Sequence, residues 1–452
     1  MHIRSIQQRR SGMARRDVLR LGALAAGGAI TAGMASACGA NSGSGSAASS
    51  GPLVFLSDQL SSTDEESAMR RQVLSGFGTS VNFTSFADAT QFIDQVVAQS
   101  KAGVGKLDLI GGLQGDFVSL AAQIKLRDMS DVIAELRNRN FPPQYLDLAK
   151  INGTYRFVPW IQASYLMVAN KQALPHLPAG ADVNTLSYDQ LLAWGQALKK
   201  ATGRELFGLP ASPDGLIKRF IEGYLYPSYT GALNTTFKSP DAVTMWEYFK
   251  QLWAVSNPQS PTYAFMQEPL LSGEVWVAWD HAVRMIDALK QQPDQFVAFP
   301  APSGPMGKGS LPVLGGLSIP ATSKHVTEAK SLIAYLTEPK TTAAMLDTEA
   351  WFPPTGKLPT NLPPALNGEA KAIQAMTNAP DAVHCELAVG LGAQSAAYDQ
   401  VFIDTFTAIA LHNQPIGPTL DKAATTLQSV LHTAGAACWK PDPASTGVCQ
   451  VG

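Results

Sequence analysis

Short apolar strands alternate with amphipathic helices at the start of the predicted globular part. Residues 53–56 and 107–110 are apolar runs, and residues 81–86 alternate between apolar and polar side chains as a strand does. Between these strands, residues 64–77 and 90–101 carry apolar side chains at helical spacing. The order β-α-β-α-β predicts an α/β fold in which helices cover a mostly parallel sheet.

The same alternation continues along the rest of the chain. Helices are predicted over residues 188–201, 216–225, 242–253, 282–291, 326–336, 396–410 and 420–434, and extended segments over 152–171, 295–300 and 311–319. Two Pro-rich stretches, 300–309 and 353–364, are predicted to be irregular. The sequence has no internal repeat of about 20–50 residues, which argues against a solenoid or a propeller.

Length and charge exclude several classes of protein. A chain of 452 residues corresponds to roughly two or three domains. It carries 34 Lys and Arg against 36 Asp and Glu, and only 15% of its residues are charged. Because there is no cationic excess to neutralise phosphates, a nucleic-acid partner is not predicted. The low charge also excludes a disordered polyelectrolyte.

Residues 1–38 have the features of an export signal rather than of a folded segment. Arginine pairs at 9–10 and 15–16 precede an apolar run over 21–34, which is too short for the roughly 20 residues that a membrane span needs. The sequence Arg-Arg-Asp-Val-Leu-Arg at 15–20 is similar to a twin-arginine signal. The signal is complete from Met13, so Met1 and Met13 are both candidate starts.

A lipid anchor is predicted at the end of this signal. Ala-Ser-Ala-Cys at 35–38 is similar to a bacterial lipobox, in which Cys38 would be lipidated; a plain secretory signal cleaved near Ala37 is the alternative. The Gly/Ser-rich residues 39–51 suit a flexible tether. We therefore expect an exported protein held on the outer face of the cell membrane. Without residues 1–38, 28 basic and 35 acidic residues remain, a charge of −7 that favours neutral or cationic ligands.

The chain contains four cysteines, three of which lie beyond the predicted anchor. In an oxidising compartment, Cys438 and Cys449 are predicted to close a loop within the tail 438–452, and Cys385 is then the odd thiol. Pairing of Cys385 with either of the others is an open alternative. There is no CxxC pattern, and neither a metal nor a cofactor is predicted.

Three segments together are similar to a known family. Ile-Asn-Gly-Thr-Tyr-Arg-Phe-Val-Pro at 151–159 continues to 165–171 and resembles an "NGKxYGVP" turn and its strand, with Arg156 and Ala169 as departures. Residues 271–279 resemble "FxxGKAAM", and residues 315–339 resemble a segment that starts at "GGxxxxI" and ends at "FLTSPE". In this order, the segments resemble the extracellular solute-binding proteins of bacterial ABC importers, in the sugar-binding family of the maltose-binding type.

The resemblance implies a two-lobe, periplasmic-binding-protein-like α/β fold with central mixed sheets and crossing hinge strands. Lobe I would hold residues 52–161 and 317–352, and lobe II residues 166–312 and 353–437. The crossings would lie near 162–165, 314–316 and 352–354. The ligand would bind in the cleft, which closes by a hinge motion of a monomer.

Polar ligand contacts are expected on loops after strands, at the lobe edge that faces the cleft. Asp58 and Gln59 follow the first strand, where the family places such contacts, and Gln114 and Asp116 follow the third. Helix capping is the alternative role for these residues. Asp214 lies in a Ser-Pro-Asp-Gly string that is also a turn by composition.

The remaining candidates lie at the crossings or among the tryptophans. At the first crossing are Trp160, Gln162 and Tyr165, where Ala163 replaces the family's acidic residue. The cluster Trp276, Trp279 and Asp280 is dense, but alternation along a strand puts one tryptophan in the core, so Trp279 and Asp280 are preferred. Gly315 and Gly316 would let a strand pass close to the ligand, and the resemblance places a stacking aromatic at Trp351 and Phe352.

By resemblance, the protein binds and does not catalyse. It would deliver a mono- to trisaccharide, in a class that extends to amino sugars and glycerophosphodiesters, to the transmembrane subunits of an ABC permease. The alternatives are a surface-anchored cell-wall glycan hydrolase and a non-transport binding or adhesion lipoprotein. The sequence contains no GxSxG, HExxH or GxxxxGK[ST] motif, which disfavours esterases, zincins and NTPases.

Overall fold

Two mixed β-sheets organise residues 51–103, 105–355 and 362–452, which the computed structural model describes. The predicted signal, Cys38 and nearly all of the predicted tether lie outside these residues. The described residues belong to one compact unit. Within them, no helix has the length and apolar character that crossing a membrane requires.

The first sheet has five strands in the order β2-β1-β3-β12-β6. They are β1 (Leu53–Ser57), β2 (Val81–Ser85), β3 (Leu109–Leu113), β6 (Val158–Ala163) and β12 (Val313–Ser318). β1 pairs in parallel with β2 and β3, as the β-α-β-α-β pattern predicts, and β12 runs antiparallel to β3 and β6. Apolar runs form these strands because both faces of the sheet are covered, and Phe55, Leu109 and Ile110 are fully buried.

The second sheet has four strands in the order β10-β7-β9-β8. They are β7 (Tyr165–Asn170), β8 (Phe207–Gly208), β9 (Val277–His281) and β10 (Phe296–Phe299). Since β6 ends at Ala163 and β7 begins at Tyr165, the chain passes from the first sheet to the second at Ser164. We call the first sheet with its helices the first lobe, and the second sheet with its helices the second lobe. The predicted lobe boundaries stay predictions.

Two small strand pairs complete the sheet structure. β4 (Lys150–Ile151) and β5 (Thr154–Tyr155) form a hairpin whose turn uses positive φ angles at Asn152 and Gly153, which explains the Asn-Gly pair. β11 (Lys308–Ser310) pairs in parallel with β13 (Ala382–His384).

The helices cover both sheets. In chain order they are α1 (Thr63–Ala68), α2 (Ala89–Lys101), α3 (Gln114–Ala121), α4 (Ser130–Glu135), α5 (Pro143–Leu148), α6 (Tyr188–Thr202), α7 (Ile217–Phe220), α8 (Tyr226–Thr230), α9 (Pro240–Trp253), α10 (Gln267–Ser272), α11 (Ile286–Gln291), α12 (Val326–Leu336), α13 (Pro339–Glu349), α14 (Pro364–Thr377), α15 (Ser395–Phe406) and α16 (Ile416–Ala434). Local signals set several of their ends: Ser187 and Gln190 form a capping box at the start of α6, and Gly203 ends it with a positive φ.

Some predicted elements differ from the observed ones. The helix predicted over 64–77 is α1 followed by a π-helical turn, Met69–Val73, and a short 3-10 turn. The helix predicted over 216–225 is α7 followed by a π-helical turn, Ile221–Leu225. The predicted irregular stretch 300–309 ends in β11, which pairs with a segment more than 70 residues away. No local sequence pattern predicts the pairing of two strands that are so far apart in the chain.

The tail is a folded loop that packs on the second lobe. Cys438 and Cys449 form a disulfide, and Cys385 is a free, buried thiol, which confirms the predicted pairing over its alternative. Trp439 is buried with its ring 5.4 Å from that of Tyr398. These contacts hold the loop in place without any further secondary structure.

Candidate functional site

Four of the predicted ligand residues come together at the carboxyl ends of β1 and β3. The Gln59 side-chain amide donates to Asp58 Oδ1 at 3.0 Å, and the Leu113 N–H donates to Asp116 Oδ2 at 2.8 Å. The carboxyl groups of Asp58 and Asp116 are close neighbours. Two carboxyl groups so placed can hydrogen-bond to each other only when one of them is protonated.

Burial makes a shared proton favourable here. Burial raises the pKa of Asp58, and it raises the pKa of Asp116 well above its usual value, with the neighbouring charge of Asp58 as the second cause. The pair therefore keeps a proton at a pH where an exposed aspartate is ionised. A partly protonated pair can donate as well as accept, which suits ligand hydroxyl groups.

A segment of the second lobe lies directly opposite this edge. The Gln114 side chain lies near the Glu386 carboxyl group, just after β13, and a Cβ at Gly115 would lie 3.4 Å from the Ala388 carbonyl oxygen. Burial raises the pKa of Glu386, and the Lys440 charge opposes that shift. Polar groups of the two lobes thus lie close together at this point.

A small cavity of about 20 Å³, room for about one water molecule, lies between the lobes beside this contact. The first lobe contributes one side of it through α5. Its lining residues are Gln144, Tyr145, Leu148, Ser310, Pro312, Thr377, His384, Cys385, Glu386 and Lys440. Hydroxyl, amide and charged groups from both lobes therefore surround a space far smaller than the roughly 300–1,000 Å³ of a small-molecule pocket, so the lobes must separate before a sugar can enter.

Hydrogen bonds at the crossing form one wall of the cleft. The buried Tyr145 hydroxyl donates a short hydrogen bond to Gln162 Oε1, and the Gln162 amide donates to the Pro353 carbonyl at 2.8 Å. The backbones of Gln162 and Phe352 exchange two further bonds, at 2.8 and 2.9 Å. Gln162 and Phe352 thus hold two chain crossings together. Burial raises the pKa of Tyr145 to about 12, so the Tyr145 hydroxyl stays protonated and remains a donor.

An aromatic group, here called the crossing cluster, consists of Tyr165, Tyr224, Trp279, His281 and Trp351. Tyr165 stacks on Trp279 with ring centroids 5.0 Å apart and planes 6° apart, and it meets Tyr224 and His281 edge-on. Trp351 meets His281 edge-on at 6.1 Å. Trp279 is fully buried, whereas Trp351 is 8% exposed and Tyr165 4%. The buried Trp279 ring thus packs against Tyr165. Trp351 and Tyr165 retain a small accessible surface.

Asp280 anchors a neighbouring loop. Its carboxylate accepts from the backbone N–H of Met266 at 3.0 Å and of His281 at 2.7 Å. Burial raises the pKa of Asp280 to about 7, against the opposing charge of Arg284. Burial, followed by the charge of Arg284, lowers the pKa of His281 to about 3. The imidazole of His281 is therefore neutral at physiological pH and packs as an aromatic ring.

Trp160 and the glycines of β12 lie in the packing of the first lobe. Trp160 is fully buried, with its ring 5.8 Å from that of Phe55. A Cβ at Gly315 would lie 2.6 Å from Ile161 Cγ1, and one at Gly316 would lie 2.2 Å from Phe157 Cδ2. The close approach that requires these glycines is thus between neighbouring protein groups.

Asp214 and Trp276 are the two remaining predicted ligand residues. Asp214 is exposed in a turn that a hydrogen bond from Gly215 N–H to Ser212 O closes at 2.8 Å, as its composition predicts. Trp276 is partly buried just before β9, and its carbonyl accepts from the Asn170 N–H at 2.7 Å. Of the two tryptophans, Trp279, which the sequence analysis prefers for the site, is the fully buried one.

Sequence reasoning missed the residues that distant segments bring to the cleft. These residues are Tyr145, His384, Glu386 and Lys440. None of them is near a recognised motif, and the first and the last are more than 200 residues apart in the sequence. Only Lys440 carried a local hint, because it lies inside the predicted disulfide loop. Contacts of this kind depend on the tertiary fold.

Comparison with known proteins places this geometry in a family. The profile described as "Bacterial extracellular solute-binding protein" matches residues 71–376. No curated protein sequence matches the chain. The maltose-bound MalE3 of T. maritima is 16% identical, with 84% of this chain and 100% of that chain covered and a TM-score of 0.64. MalE of Xanthomonas citri, a sugar-binding protein, is 15% identical, with 85% and 98% covered and a TM-score of 0.67.

A third similar structure carries a different type of ligand. UgpB of Mycobacterium tuberculosis, in complex with glycerophosphocholine, is 20% identical, with 85% of this chain and 100% of that chain covered and a TM-score of 0.61. At these identities the likeness establishes the fold. The predicted two-lobe, periplasmic-binding-protein-like class is confirmed.

Proposed function

This chain belongs to the bacterial extracellular solute-binding proteins, and on that premise we propose that it captures a carbohydrate between its lobes and delivers it to the permease of an ABC importer. The cargo is a mono- to trisaccharide, in a class that includes amino sugars and glycerophosphodiesters. The observation that carries this proposal is the meeting of polar groups from both lobes around a cavity of about 20 Å³, which must open to admit a ligand. Similar folds with bound maltose or glycerophosphocholine support it.

The chemistry of the cleft suits hydroxylated ligands. Sugar hydroxyl groups need paired donors and acceptors, which the carboxyl pair, Gln114 and Glu386 supply. Sugar ring faces pack on aromatic rings, which Tyr165 and Trp351 supply at the crossing. A site with these buried polar groups rejects analogues that lack the hydroxyls, because its own groups would be left unpaired.

Glycan hydrolysis, the main alternative, finds little support in the cleft. Glycosidases hold two carboxyl groups about 5–9.5 Å apart, with the scissile bond between them. The carboxyl groups of Asp58 and Asp116 are close neighbours instead. Elsewhere, Ser323 Oγ and His325 Nδ1 both contact Asp108 Oδ1, at 2.8 and 3.0 Å, so the histidine does not lie between the serine and the aspartate as in a hydrolase triad.

The anchoring part of the proposal rests on the sequence alone. Lipidation of Cys38 would keep the protein on the outer face of the membrane, next to its permease. We expect the natural chain to sediment with membranes and Cys38→Ser to be released into the soluble fraction. Equal partitioning of both forms would contradict the lipid anchor and favour the plain secretory signal.

Replacement of Trp351 by alanine tests the placement of the cargo. We expect the variant to lose about 1–3 kcal/mol of binding free energy, because its aromatic surface no longer packs on the ligand. Titration calorimetry with the best-binding sugar measures the loss. Trp253→Ala is the matched control: Trp253 is partly buried on α9 and packs against Phe406, away from the crossing. Unchanged affinity in a folded Trp351→Ala variant would remove the crossing cluster from the site.

A further inference from the structure

An open groove of about 360 Å³ lies on the second lobe, and all of its lining residues fall within 262–274. Its volume is within the roughly 300–1,000 Å³ of small-molecule pockets, whereas the cavity between the lobes holds about 20 Å³. Since a single segment of one lobe forms the groove, a ligand can enter it without any separation of the lobes.

Phe265 places an exposed aromatic ring in this groove. Its side chain is 47% exposed, and the Arg284 guanidinium packs over the ring at 4.4 Å from the centroid. The backbone on each side of Phe265 is held. The Ala264 carbonyl accepts from Arg284 Nη1 at 3.1 Å, and the Met266 N–H donates to the buried Asp280 carboxyl group at 3.0 Å. An exposed ring that is fixed in this way is preorganised for contact with a ligand.

Hydrogen-bonding side chains also line the groove. The Tyr263 hydroxyl donates to Glu274 Oε2 at 2.9 Å. Burial, followed by this bond to Glu274, raises the pKa of Tyr263, so the hydroxyl stays protonated. Glu268 is exposed on α10 and forms no ion pair within the described residues. Thr262 and Ser272 add hydroxyl oxygens. The groove therefore combines an aromatic ring with several acceptors.

We propose that this groove is a second carbohydrate site, which binds one neutral saccharide unit with a C–H face on the Phe265 ring and with hydroxyl groups donating to Glu268 and Glu274. Of the lining side chains, which all belong to the described part of the chain, two are carboxylates and none is basic, so an anionic sugar is repelled. The Arg284 charge beside the ring disfavours a cationic sugar. This site goes beyond the capture of cargo between the lobes and does not depend on it.

Titration calorimetry with the purified protein tests the groove. Maltotriose, cellotriose and tri-N-acetylchitotriose are the neutral probes, and trigalacturonate is the anionic one. We expect one neutral probe to bind in a phase that Phe265→Ala weakens about 5- to 50-fold, because the stacking surface is lost. Phe265→Tyr should retain this phase, since it keeps the ring. Trp351→Ala should leave it unchanged, and trigalacturonate should lack it.

Another exposed apolar residue provides the control. Leu411 is 39% exposed at the end of a π-helical turn, Thr407–Leu411, and Leu411→Ala should leave every affinity unchanged. If Phe265→Ala binds all neutral probes as the wild type does, the groove is not a carbohydrate site, and capture between the lobes still stands. Equally tight binding of trigalacturonate through Phe265 would overturn the neutral specificity. Binding that Phe265→Ala weakens and Trp351→Ala does not would support the groove. If no neutral probe binds, the inference is wrong.

Discussion

Asp442→Ala should lower the free energy of unfolding by about 3–5 kcal/mol, the largest loss that we expect from a single substitution in this chain. The Asp442 carboxylate accepts from Leu233 N–H, Asn234 N–H and Thr235 N–H at 2.8–3.2 Å, and from the side chains of Asn234 and Thr235 as well. Alanine leaves these buried donors without an acceptor, and each unsatisfied buried group costs about 1–3 kcal/mol. Denaturant unfolding at neutral pH measures the change.

Two further variants serve as comparisons for Asp442→Ala. Asp442→Asn keeps one acceptor oxygen and should fall between the alanine variant and the wild type. Asp421→Ala removes an aspartate that is 70% exposed and lies 3.5 Å from Lys238, and should change the stability by less than about 0.5 kcal/mol. A loss below about 1 kcal/mol for Asp442→Ala would show that the tail loop is not held as described.

The effect of Asp280→Asn on stability should change with pH by up to about 4 kcal/mol between pH 4 and pH 8. Burial raises the pKa of Asp280 to about 7 in the folded protein, from a usual value of 3.8. Its contribution is therefore fully present below pH 3.8 and is lost as the pH rises through 7. Asparagine does not titrate, so the substitution should be costly at pH 4 and much less costly, or stabilising, at pH 8.

The wild-type pH profile alone does not reveal this effect. His281 acts in the opposite sense, because burial lowers its pKa from 6.5 to about 3, and its contribution is lost as the pH falls below 6.5. The difference between wild type and Asp280→Asn at each pH cancels the histidine contribution. Asp214→Asn is the control, since it makes the same aspartate-to-asparagine change in an exposed turn. A pH-independent difference between wild type and Asp280→Asn would contradict the buried, protonated carboxyl group.

Much of the fold follows from local patterns. The strands around Phe55 and Leu109 are predicted correctly because a sheet covered on both faces needs unbroken apolar runs. Helices α2, α6, α9 and α16 are predicted because each carries an apolar stripe, and Asp88 and Ser187 mark two of their starts. Helices α13 and α14 are not predicted, since both begin at a proline, which marks a helix start as readily as a loop.

The residues of the site are harder to predict from the sequence than the fold is. Asp58 and Asp116 are predicted together because the carboxyl ends of parallel strands share one edge of the sheet. Tyr145, Glu386 and Lys440 meet only through the docking of the lobes and of the tail loop, which no local spacing encodes. Trp160 shows the opposite case: its position beside the crossing suggests ligand contact, yet its ring fills the core against Phe55.

Saturable binding of a carbohydrate is the central claim, and a thermal-shift titration of residues 39–452, with Cys38 removed, tests it most directly. The panel holds sugars, amino sugars, uronic acids and glycerophosphodiesters at millimolar concentration. A ligand at about 100 times its dissociation constant stabilises the folded state by roughly 2.7 kcal/mol. We predict that one class raises the melting temperature in a dose-dependent way, and less so in Trp351→Ala. A folded protein whose melting temperature no member of the panel changes would contradict carbohydrate capture.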